Sequence, residues 1–273
     1  MIDLHTHSSC SDGELEPQKL IDLAACQGIT QLAITDHDTM AAYRLDLVIP
    51  EQMQLIPGIE LSSSWRGWGI HLVGLGVDVS SKSMQQAEQV QAEAREIRFD
   101  AICQALRKRG LVIDIQRLRE GIQGAPGRPH IARYLVDTGQ AASLSRAFRK
   151  YLSNSRLAFA QKCWPELFQC IEWVHRAGGV SVLAHPLKYG FTHSRLNSLL
   201  QEFVEAGGMA MEVVSGSQTQ ADTAKLLAMA ASYKLAVSVG SDHHGIRAGN
   251  PCLGVEHHRV AGIDSLLAQL KMH

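Results

Sequence analysis

The first thirteen residues, MIDLHTHSSCSDG (residues 1–13), place several side chains that can bind metal ahead of the first predicted helix. Apolar and polar residues alternate along MIDLHTH as they do along a half-buried β-strand, so Ile2 and Leu4 share one face. His5 and His7 share the opposite face and lie two residues apart, a spacing that lets both bind one ion. The segment therefore predicts a strand that ends at a metal site.

Beyond this segment, short apolar strands alternate with helical patterns along most of the chain. Further strands are predicted at ITQLAIT (29–35), MQLIPGIELS (53–62), GIHLVGLGV (69–77), GGVSVLAHP (178–186), MAMEVVSG (209–216) and LAVSVGSDHH (235–244). Repeated βα units favour a parallel sheet with crossover helices, either closed into a barrel or doubly wound. The chain is therefore predicted to be an α/β protein.

Residues 81–160 carry no strand pattern and differ from the rest of the chain. A long polar helix is predicted over 83–110, and shorter helices over GRPHIARYLVDTG (127–139) and SLSRAFRKYL (143–152). We expect residues 1–80 and 161–273 to form one barrel domain. Residues 81–160 are expected to be a small helical insertion that covers the substrate.

The composition is that of a folded globular protein, with 45% hydrophobic and 19% charged residues. A formal net charge of −1 offers no basic field for long DNA or RNA, whereas small anionic substrates remain open. The six cysteines form no C-x-x-C pair, which argues against a zinc ribbon, a redox motif or a disulfide framework. No secretory or membrane-spanning pattern is present, so a soluble cytoplasmic protein without a membrane partner is expected.

Histidine and carboxylate side chains fall at or near the ends of the predicted strands. The nine candidates are His5, His7, Asp12, His37, Glu60, His71, His185, Asp242 and His244. In a parallel barrel the strand C-termini open at one mouth, so these dispersed side chains are expected to form one cluster. Imidazole nitrogen and carboxylate oxygen bind Mn²⁺, Zn²⁺ or Fe²⁺ without a thiolate. Nine ligands exceed the needs of one ion, so two or three ions are predicted, with a metal-bridging hydroxide as the nucleophile for phosphoester hydrolysis.

Together these motifs resemble the PHP (polymerase and histidinol phosphatase) family of metal-dependent phosphoesterases. The matching stretches are DLHTHSSCSDG (3–13), ITDHD (34–38), PGIEL (57–61), IHLVG (70–74), LAHP (183–186) and GSDHH (240–244). The resemblance implies a distorted (β/α)₇ TIM-like barrel, related to the amidohydrolases, with two or three metal ions.

The resemblance also implies a division of the nine ligands among three ions. One ion would be held by His5, His7, Glu60 and Asp242. A second would share Glu60 as a bridge and add His71 and His185. A third would be held by Asp12, His37 and His244.

Within the family, the helical insertion with GRPHIARYLV (127–136) and the later AMEV (210–213) resemble one subgroup. It comprises the 3′,5′-nucleoside bisphosphate phosphatases that also act as 5′→3′ exoribonucleases on short RNA, sometimes called RNase AM. The resemblance implies release of the 3′-phosphate of a molecule such as pAp, with AMP as the other product.

The stretch GRPHIAR (127–133) fits a phosphate substrate on its own chemistry. Pro129 suits the first turn of a helix, which puts Arg128 at the helix mouth, where free N–H groups favour an anion. His130 and Arg133 are three residues apart on one face and can add charge-assisted hydrogen bonds. We expect these residues to clamp a 5′-phosphate; the alternative is an ordinary basic helix start.

HPLKYGFTH (185–193) follows a candidate ligand, so Lys188 and Tyr189 are expected to border the mouth and bind substrate. His193 is the candidate that protonates the leaving oxygen, and a solvent-facing histidine is an equal alternative. Glu212 is expected either at the floor of the site or as a satisfied buried carboxylate.

The predicted function is a hydrolase with Mn²⁺ as the expected ion and Zn²⁺ or Fe²⁺ as alternatives. It would remove the 3′-phosphate of nucleoside 3′,5′-bisphosphates and act 5′→3′ on short 5′-phosphorylated RNA. The nearest alternative is another PHP phosphomonoesterase, such as a histidinol-phosphate phosphatase, which has less need of an arginine-bearing insertion. The alternative from a different functional class is a non-catalytic metal-binding PHP module. Loss of some of the candidate metal ligands would indicate such a module.

Overall fold

Seven strands form one mixed sheet that nearly closes into a barrel, with helices around it, as a computed structural model shows. Residues 1–122, 126–153, 162–245, 251–256, 260 and 262–270 are described. The strands are β1 (Ile2–Thr6), β2 (Gln31–Ile34), β3 (Gln54–Trp65), β4 (Trp68–Leu75), β5 (Val180–Leu183), β6 (Ala210–Ser215) and β7 (Ala236–Gly240). The helices are α1 (Pro17–Cys26), α2 (Lys82–Lys108), α3 (Ile115–Glu120), α4 (Arg128–Asp137), α5 (Leu144–Ala147), α6 (Leu167–Arg176), α7 (His193–Glu205), α8 (Gln220–Tyr233) and α9 (Ile263–Leu270).

Backbone hydrogen bonds join the two ends of the sheet. The amide of Asp242 donates to the carbonyl of His5 at 2.8 Å, and the amide of His7 donates to the carbonyl of His243 at 2.9 Å. A Cβ atom at Gly240 would lie 2.3 Å from Cβ of His5, so only glycine allows β7 to approach β1 this closely. The close approach of β7 to β1 places Asp242 beside the two histidines of the opening segment.

The sheet is not parallel throughout, which differs from the expectation drawn from the βα pattern. Strands β3 and β4 are antiparallel neighbours, and β4 also pairs antiparallel with β5. Arg66 and Gly67 join β3 to β4 as a two-residue turn, and both have positive φ angles (49° and 78°), as a tight hairpin requires. A connection this short leaves no room for a crossover helix. Glu60 consequently lies in the middle of a long strand, not at a strand end as predicted.

The interior contains a barrel core and a second apolar cluster within the helical segment. Met84 and Ala87, on the first turns of α2, pack in the barrel core. The second cluster is formed by side chains between Phe99 and Leu152, among them Leu135. This separate cluster supports the proposed division into a barrel and an insertion. The proposed boundary at residues 160 and 161 lies outside the described residues. No helix among the described residues is long and apolar enough to cross a membrane.

Candidate metal centre and active site

The two histidines of β1 face two carboxylates from distant parts of the chain. Nε2 of His5 lies 3.3 Å from Oε2 of Glu60, and Nε2 of His7 lies 3.2 Å from the same oxygen. Oδ1 of Asp242 is also 3.2 Å from Nε2 of His7. All four side chains are buried, and their ligand atoms lie close enough together to hold one ion.

A second group contains Asp12, His37 and His244, with His7 beside them. Oδ1 of Asp12 lies 3.3 Å from Nε2 of His244, and Oδ2 lies 3.9 Å from Nε2 of His37. The loop that carries Asp12 is held by buried Asp36, which accepts hydrogen bonds from the backbone and hydroxyl of Ser8 and from the hydroxyl of Ser11.

Glu60 is the carboxylate on which the remaining histidines converge. Its Oε1 lies 2.8 Å from Nδ1 of His71 and 2.9 Å from Nε2 of His185. Its Oε2 lies 3.0 Å from Nδ1 of His37. The structure therefore brings all nine candidate ligands into one cluster, with Glu60 at its centre. Their assignment to individual ions stays a proposal.

The donor atoms of the cluster fit divalent cations. Among the described residues, several of these atoms are buried without a hydrogen-bond partner. They include Nε2 of His5, both ring nitrogens of His7, Oδ1 of Asp12, Nδ1 of His37 and Oε2 of Glu60. Buried polar atoms are costly unless something binds them. A nitrogen and oxygen set without thiolate suits Mn²⁺, Zn²⁺ or Fe²⁺.

Burial and neighbouring charges shift the pKa values of the side chains in the cluster. Burial opposes ionisation of Glu60, but nearby His37 and His5 outweigh it and hold the pKa of Glu60 well below its usual range. Burial also opposes protonation of His5, yet Glu212, Glu60 and Asp242 raise the pKa of His5 well above the ordinary value. Burial instead dominates at His37 and holds its pKa well below the usual value. The carboxylates thus stay ionised and attract positive charge, as ligands of a cation must.

The PHP domain family matches residues 3–120. A 5′-3′ exoribonuclease of Haemophilus influenzae is 37% identical over 244 residues, which covers 89% of this chain and 89% of that protein. The chain belongs to the PHP family. A 3′,5′-nucleoside bisphosphate phosphatase of Chromobacterium violaceum is 33% identical over 264 residues, 93% of this chain and 90% of that one. An amidohydrolase structure from Chromobacterium violaceum, with bound sulfate and no metal, has a TM-score of 0.85 and 30% identity. The alignment covers 98% of this chain and 96% of that chain.

These comparisons confirm the family and the PHP-type barrel that the sequence predicts. They also show that the chain is a metal-dependent phosphoesterase, since it matches the PHP domain and contains buried histidine and carboxylate clusters that are able to bind metal.

In this PHP phosphoesterase, a cavity of about 350 Å³ separates the ligand cluster from the helical insertion. Three arginines line its far side: Arg95 and Arg98 on α2, and Arg128 at the start of α4. Nε of Arg95 donates to Oδ2 of Asp38 at 2.6 Å, so its charge is paired. The cavity therefore has ionised carboxylates and histidines on one wall and guanidinium groups on the other.

Arg98 is the cation in this cavity whose charge is least neutralised by neighbouring groups. Its side chain is buried over the ring of Trp164, 5.1 Å from the centroid, and its Nε has no hydrogen-bond partner among the described residues. Burial, followed by the neighbouring charges of Arg128 and Arg95, lowers the pKa of Arg98 to about 9, which leaves the group charged at neutral pH. A buried, charged and unpaired donor is suited to an anionic ligand.

The predicted substrate-binding residues fall in different places. Arg128 lines the cavity beside the cluster, but His130 and Arg133 line a neighbouring cavity of about 480 Å³ that also includes Asp12. Nδ1 of His130 accepts a hydrogen bond from the amide of Gly127 at 3.2 Å and so caps α4. A clamp in which Arg128, His130 and Arg133 hold the same phosphate is therefore not what the structure supports.

Lys188 and Tyr189 line the cavity. Nζ of Lys188 contacts Oδ2 of Asp242. The hydroxyl of Tyr189 accepts from the amide of His71 at 3.0 Å and donates to the carbonyl of Ala184 at 2.8 Å, so it positions the His71 strand. Burial raises the pKa of this hydroxyl well above the usual value, which keeps it protonated.

His193 is not brought to the cavity. It lies exposed at the first position of α7, where its Nδ1 is 3.1 Å from the side-chain amide of Asn197. It is absent from the residues that line the cavity. The structure favours the alternative of a solvent-facing histidine, and a role for His193 as general acid has no geometric support.

Arg95, Arg98 and Trp164 are not among the residues that the sequence predicts for the site. Arg95 and Arg98 are three residues apart in α2, so they share one face of that helix. This spacing was the only sign in the sequence that the two arginines act together, but in a polar helix the same spacing also fits a face that is exposed to solvent. Only packing against Asp38 and Trp164 shows that the face is covered.

Proposed function

We propose that this PHP phosphoesterase hydrolyses the 3′-phosphate ester of nucleoside 3′,5′-bisphosphates such as pAp and removes nucleotides 5′→3′ from short 5′-phosphorylated RNA. The observation that carries the proposal is the cavity with two charged walls. One wall can hold metal ions at a scissile phosphate, and the other presents Arg98 and Arg128 to a second phosphate of the same molecule. The names of the relatives from Haemophilus influenzae and Chromobacterium violaceum agree with both activities.

The nine-residue cluster would hold two or three divalent ions, and we propose Mn²⁺ as the native one. When bound, such ions supply an activated hydroxide and neutralise the phosphoryl oxygens. The protein's part is to hold the ester in place: Arg98 and Arg128 bind the 5′-phosphate, and this remote binding orients the 3′-phosphate for in-line attack. The bond between phosphorus and the 3′-oxygen breaks, and the 3′-oxygen leaves as a hydroxyl.

Lys188 is a cationic side chain that lines the cavity beside the candidate ligand Asp242. Burial opposes its protonation, but Asp242 outweighs this effect and raises the pKa of Lys188, so the ammonium group persists at neutral pH. We propose that it stabilises the charge that develops on the phosphoryl group or on the leaving oxygen. The same group, not His193, is then the candidate to test as a proton donor.

The test is phosphate release from pAp, 3′-AMP, 5′-AMP and histidinol phosphate by protein loaded with Mn²⁺, Zn²⁺ or Fe²⁺. We expect kcat/KM for pAp to exceed that for 3′-AMP by at least about tenfold, because only pAp offers the 5′-phosphate to the arginines. Arg98→Ala should remove most of this preference and leave turnover of 3′-AMP nearly unchanged. Arg146→Ala, which removes an exposed arginine of α5 that lines neither cavity, is the matched control.

A preference for histidinol phosphate, or equal rates with pAp and 3′-AMP, would contradict the proposal. The first outcome would favour the alternative phosphomonoesterase. Absence of hydrolysis with every ester and every ion would favour a non-catalytic module, although none of the nine ligands that catalysis needs is missing from the cluster.

A further inference from the structure

We propose that the neighbouring cavity of about 480 Å³ binds the RNA chain on the 3′ side of the scissile phosphate. This cavity, called the downstream cavity below, lies between the loop after β1 and helices α3 and α4. The inference rests on the proposed function and deepens it. It assigns a place to the part of an oligonucleotide that a nucleoside bisphosphate lacks.

The downstream cavity meets the first cavity at the metal cluster. Asp12 and Pro129 line both cavities, and Asp12 belongs to the candidate metal group with His7, His37 and His244. A phosphodiester held at this group therefore has an open space on each side. The 5′ nucleotide occupies the side with Arg98 and Arg128, and the remaining chain continues into the other side.

The charges of the downstream cavity suit a phosphate backbone. Arg117 on α3 and Arg133 on α4 line it, and both side chains are exposed. Among the described residues, neither guanidinium has a carboxylate within ion-pair distance, in contrast to Arg119, which pairs with Glu96 at 2.7 Å. Two uncompensated guanidinium groups near a nucleotide-sized opening are able to bind successive backbone phosphates.

Two acidic residues limit where the phosphates lie. Glu14 and Asp137 also line the downstream cavity, and Asp137 lies one helical turn after Arg133 on α4, so these carboxylates repel a phosphate from their own ends of the cavity. His130 also lines this cavity, and its Nδ1 accepts a hydrogen bond from the amide of Gly127. The arginines are therefore the residues that test the proposal.

The chemistry gives the two cavities separate roles. Water adds to phosphorus, the bond from phosphorus to the 3′-oxygen of the first nucleotide breaks, and that oxygen leaves as a hydroxyl. The phosphoryl group stays on the shortened RNA as its new 5′-phosphate, whereas pAp yields free phosphate. A group in the downstream cavity therefore contacts the RNA substrate and its product, and has no partner when pAp is bound.

The experiment compares pAp with a 5′-phosphorylated tetraribonucleotide that carries fluorescein at its 3′ end. The variant is Arg117→Ala/Arg133→Ala, and Arg146→Ala/Arg149→Ala, which removes two exposed arginines that line neither cavity, is the charge-matched control. Fluorescence anisotropy in EDTA measures binding of the intact tetraribonucleotide without hydrolysis, and Mn²⁺-loaded protein is used for kcat/KM. Since both arginines are exposed, the double variant is expected to fold, which its melting temperature verifies.

The double variant should bind the tetraribonucleotide about tenfold more weakly, while kcat/KM for pAp changes less than about twofold. The slope of log affinity against log salt should become shallower by about 1.4, for two lost phosphate contacts on a single strand. Equal loss with both substrates, or no loss of RNA binding, would overturn the downstream assignment. Wild-type protein that hydrolyses neither substrate would overturn the proposed function. In that case the binding measurements in EDTA would still test whether the downstream cavity binds RNA.

Discussion

Glu212 contacts the ring nitrogen of His5 that does not face Glu60 and Asp242. Oε1 of Glu212 lies 2.7 Å from Nδ1 of His5, at a fully buried contact between β6 and β1. A carboxylate can only accept a hydrogen bond, so Nδ1 carries the proton and Nε2 turns towards Glu60 and Asp242. The other oxygen of Glu212 accepts from the amide of His185 at 2.6 Å. Glu212 thus orients two candidate ligands, and such outer partners tune metal affinity.

Replacing Glu212 by Gln should weaken metal binding without removing a ligand. One of the two hydrogen bonds must then meet the amide NH₂, which cannot accept a hydrogen bond from His5 or His185. We expect Mn²⁺ affinity to fall by about 10- to 100-fold, measured by calorimetric titration, with activity largely restored at saturating Mn²⁺. The exposed Glu205→Gln is the control; unchanged affinity in Glu212→Gln would contradict the positioning role.

Removal of metal should abolish hydrolysis and lower the melting temperature. Without cations, Asp12, Glu60 and Asp242 keep negative charges crowded in one buried cluster. A ligand at about 100 times its dissociation constant stabilises a protein by about 2.7 kcal/mol, so chelation should cost several degrees. Thermal denaturation with EDTA, and then with added Mn²⁺, checks this expectation; an unchanged melting temperature would speak against a site that binds ions tightly.

The stability of the metal-free protein should decline as pH rises from about 6.5 to 10. Burial opposes protonation of His7, but the carboxylates of Asp242 and Glu60, each 3.2 Å from Nε2 of His7, outweigh it and raise the pKa of His7 to about 10. A group with a pKa raised by folding stabilises the fold fully below its unfolded pKa, near 6.5, and loses that effect towards its folded pKa. Bound cations replace the proton, so Mn²⁺-loaded protein should lose less.

Melting curves in EDTA and in Mn²⁺, recorded at pH 7, 8 and 9, measure the difference. The gap between the two melting temperatures should widen with pH. A metal-free protein that becomes more stable across this range would show that His7 is not held in its protonated form.

The ion pair between Arg95 and Asp38 should be a stabilising contact of the α2–barrel junction. Asp38 also accepts from the amide of Ser62 at 2.6 Å and has a φ angle of 57°, a conformation that Asn tolerates. Asp38→Asn therefore keeps the backbone but leaves Arg95 buried without its counter-charge. We expect a loss of about 3–5 kcal/mol in urea denaturation.

The matched control for this pair is Glu172→Gln, which breaks an exposed ion pair with Arg176 on α6. It should cost less than about 1 kcal/mol. If both substitutions cost the same small amount, the Arg95 charge is satisfied in another way.

If the barrel and the insertion are separate units, a substitution in the core of the insertion should change substrate binding without changing metal binding. Leu135 is fully buried in the apolar cluster of the insertion, so Leu135→Ala should destabilise that cluster by about 2–5 kcal/mol. We expect a raised KM for pAp because Arg98 and Arg128 lose their support, while the bound metal content stays the same. Elemental analysis and steady-state kinetics check this, with the partly buried Val136→Ala as the control. Loss of metal in Leu135→Ala would argue for a single cooperative unit.

The metal cluster was predictable because strand periodicity and ligand chemistry are both local properties. His5 and His7 share a face through the two-residue repeat of a strand, and Asp242 follows a short apolar strand. The β3–β4 hairpin was not predicted, since its only signal is the Arg66–Gly67 pair between two runs that each read as separate strands. Helix α2 was predicted, but a polar helix does not reveal which of its faces is covered.

The sequence by itself determined the family, the barrel and the set of candidate metal ligands, because periodicity, residue type and the order of motifs are written along the chain. The tertiary structure alone decided the relations across the barrel. It placed Arg98 opposite the cluster, put Glu212 behind His5, and separated Arg128 from Arg133 into two cavities. Such contacts join residues far apart in the chain, or depend on which side of a helix is packed, and no local pattern records them.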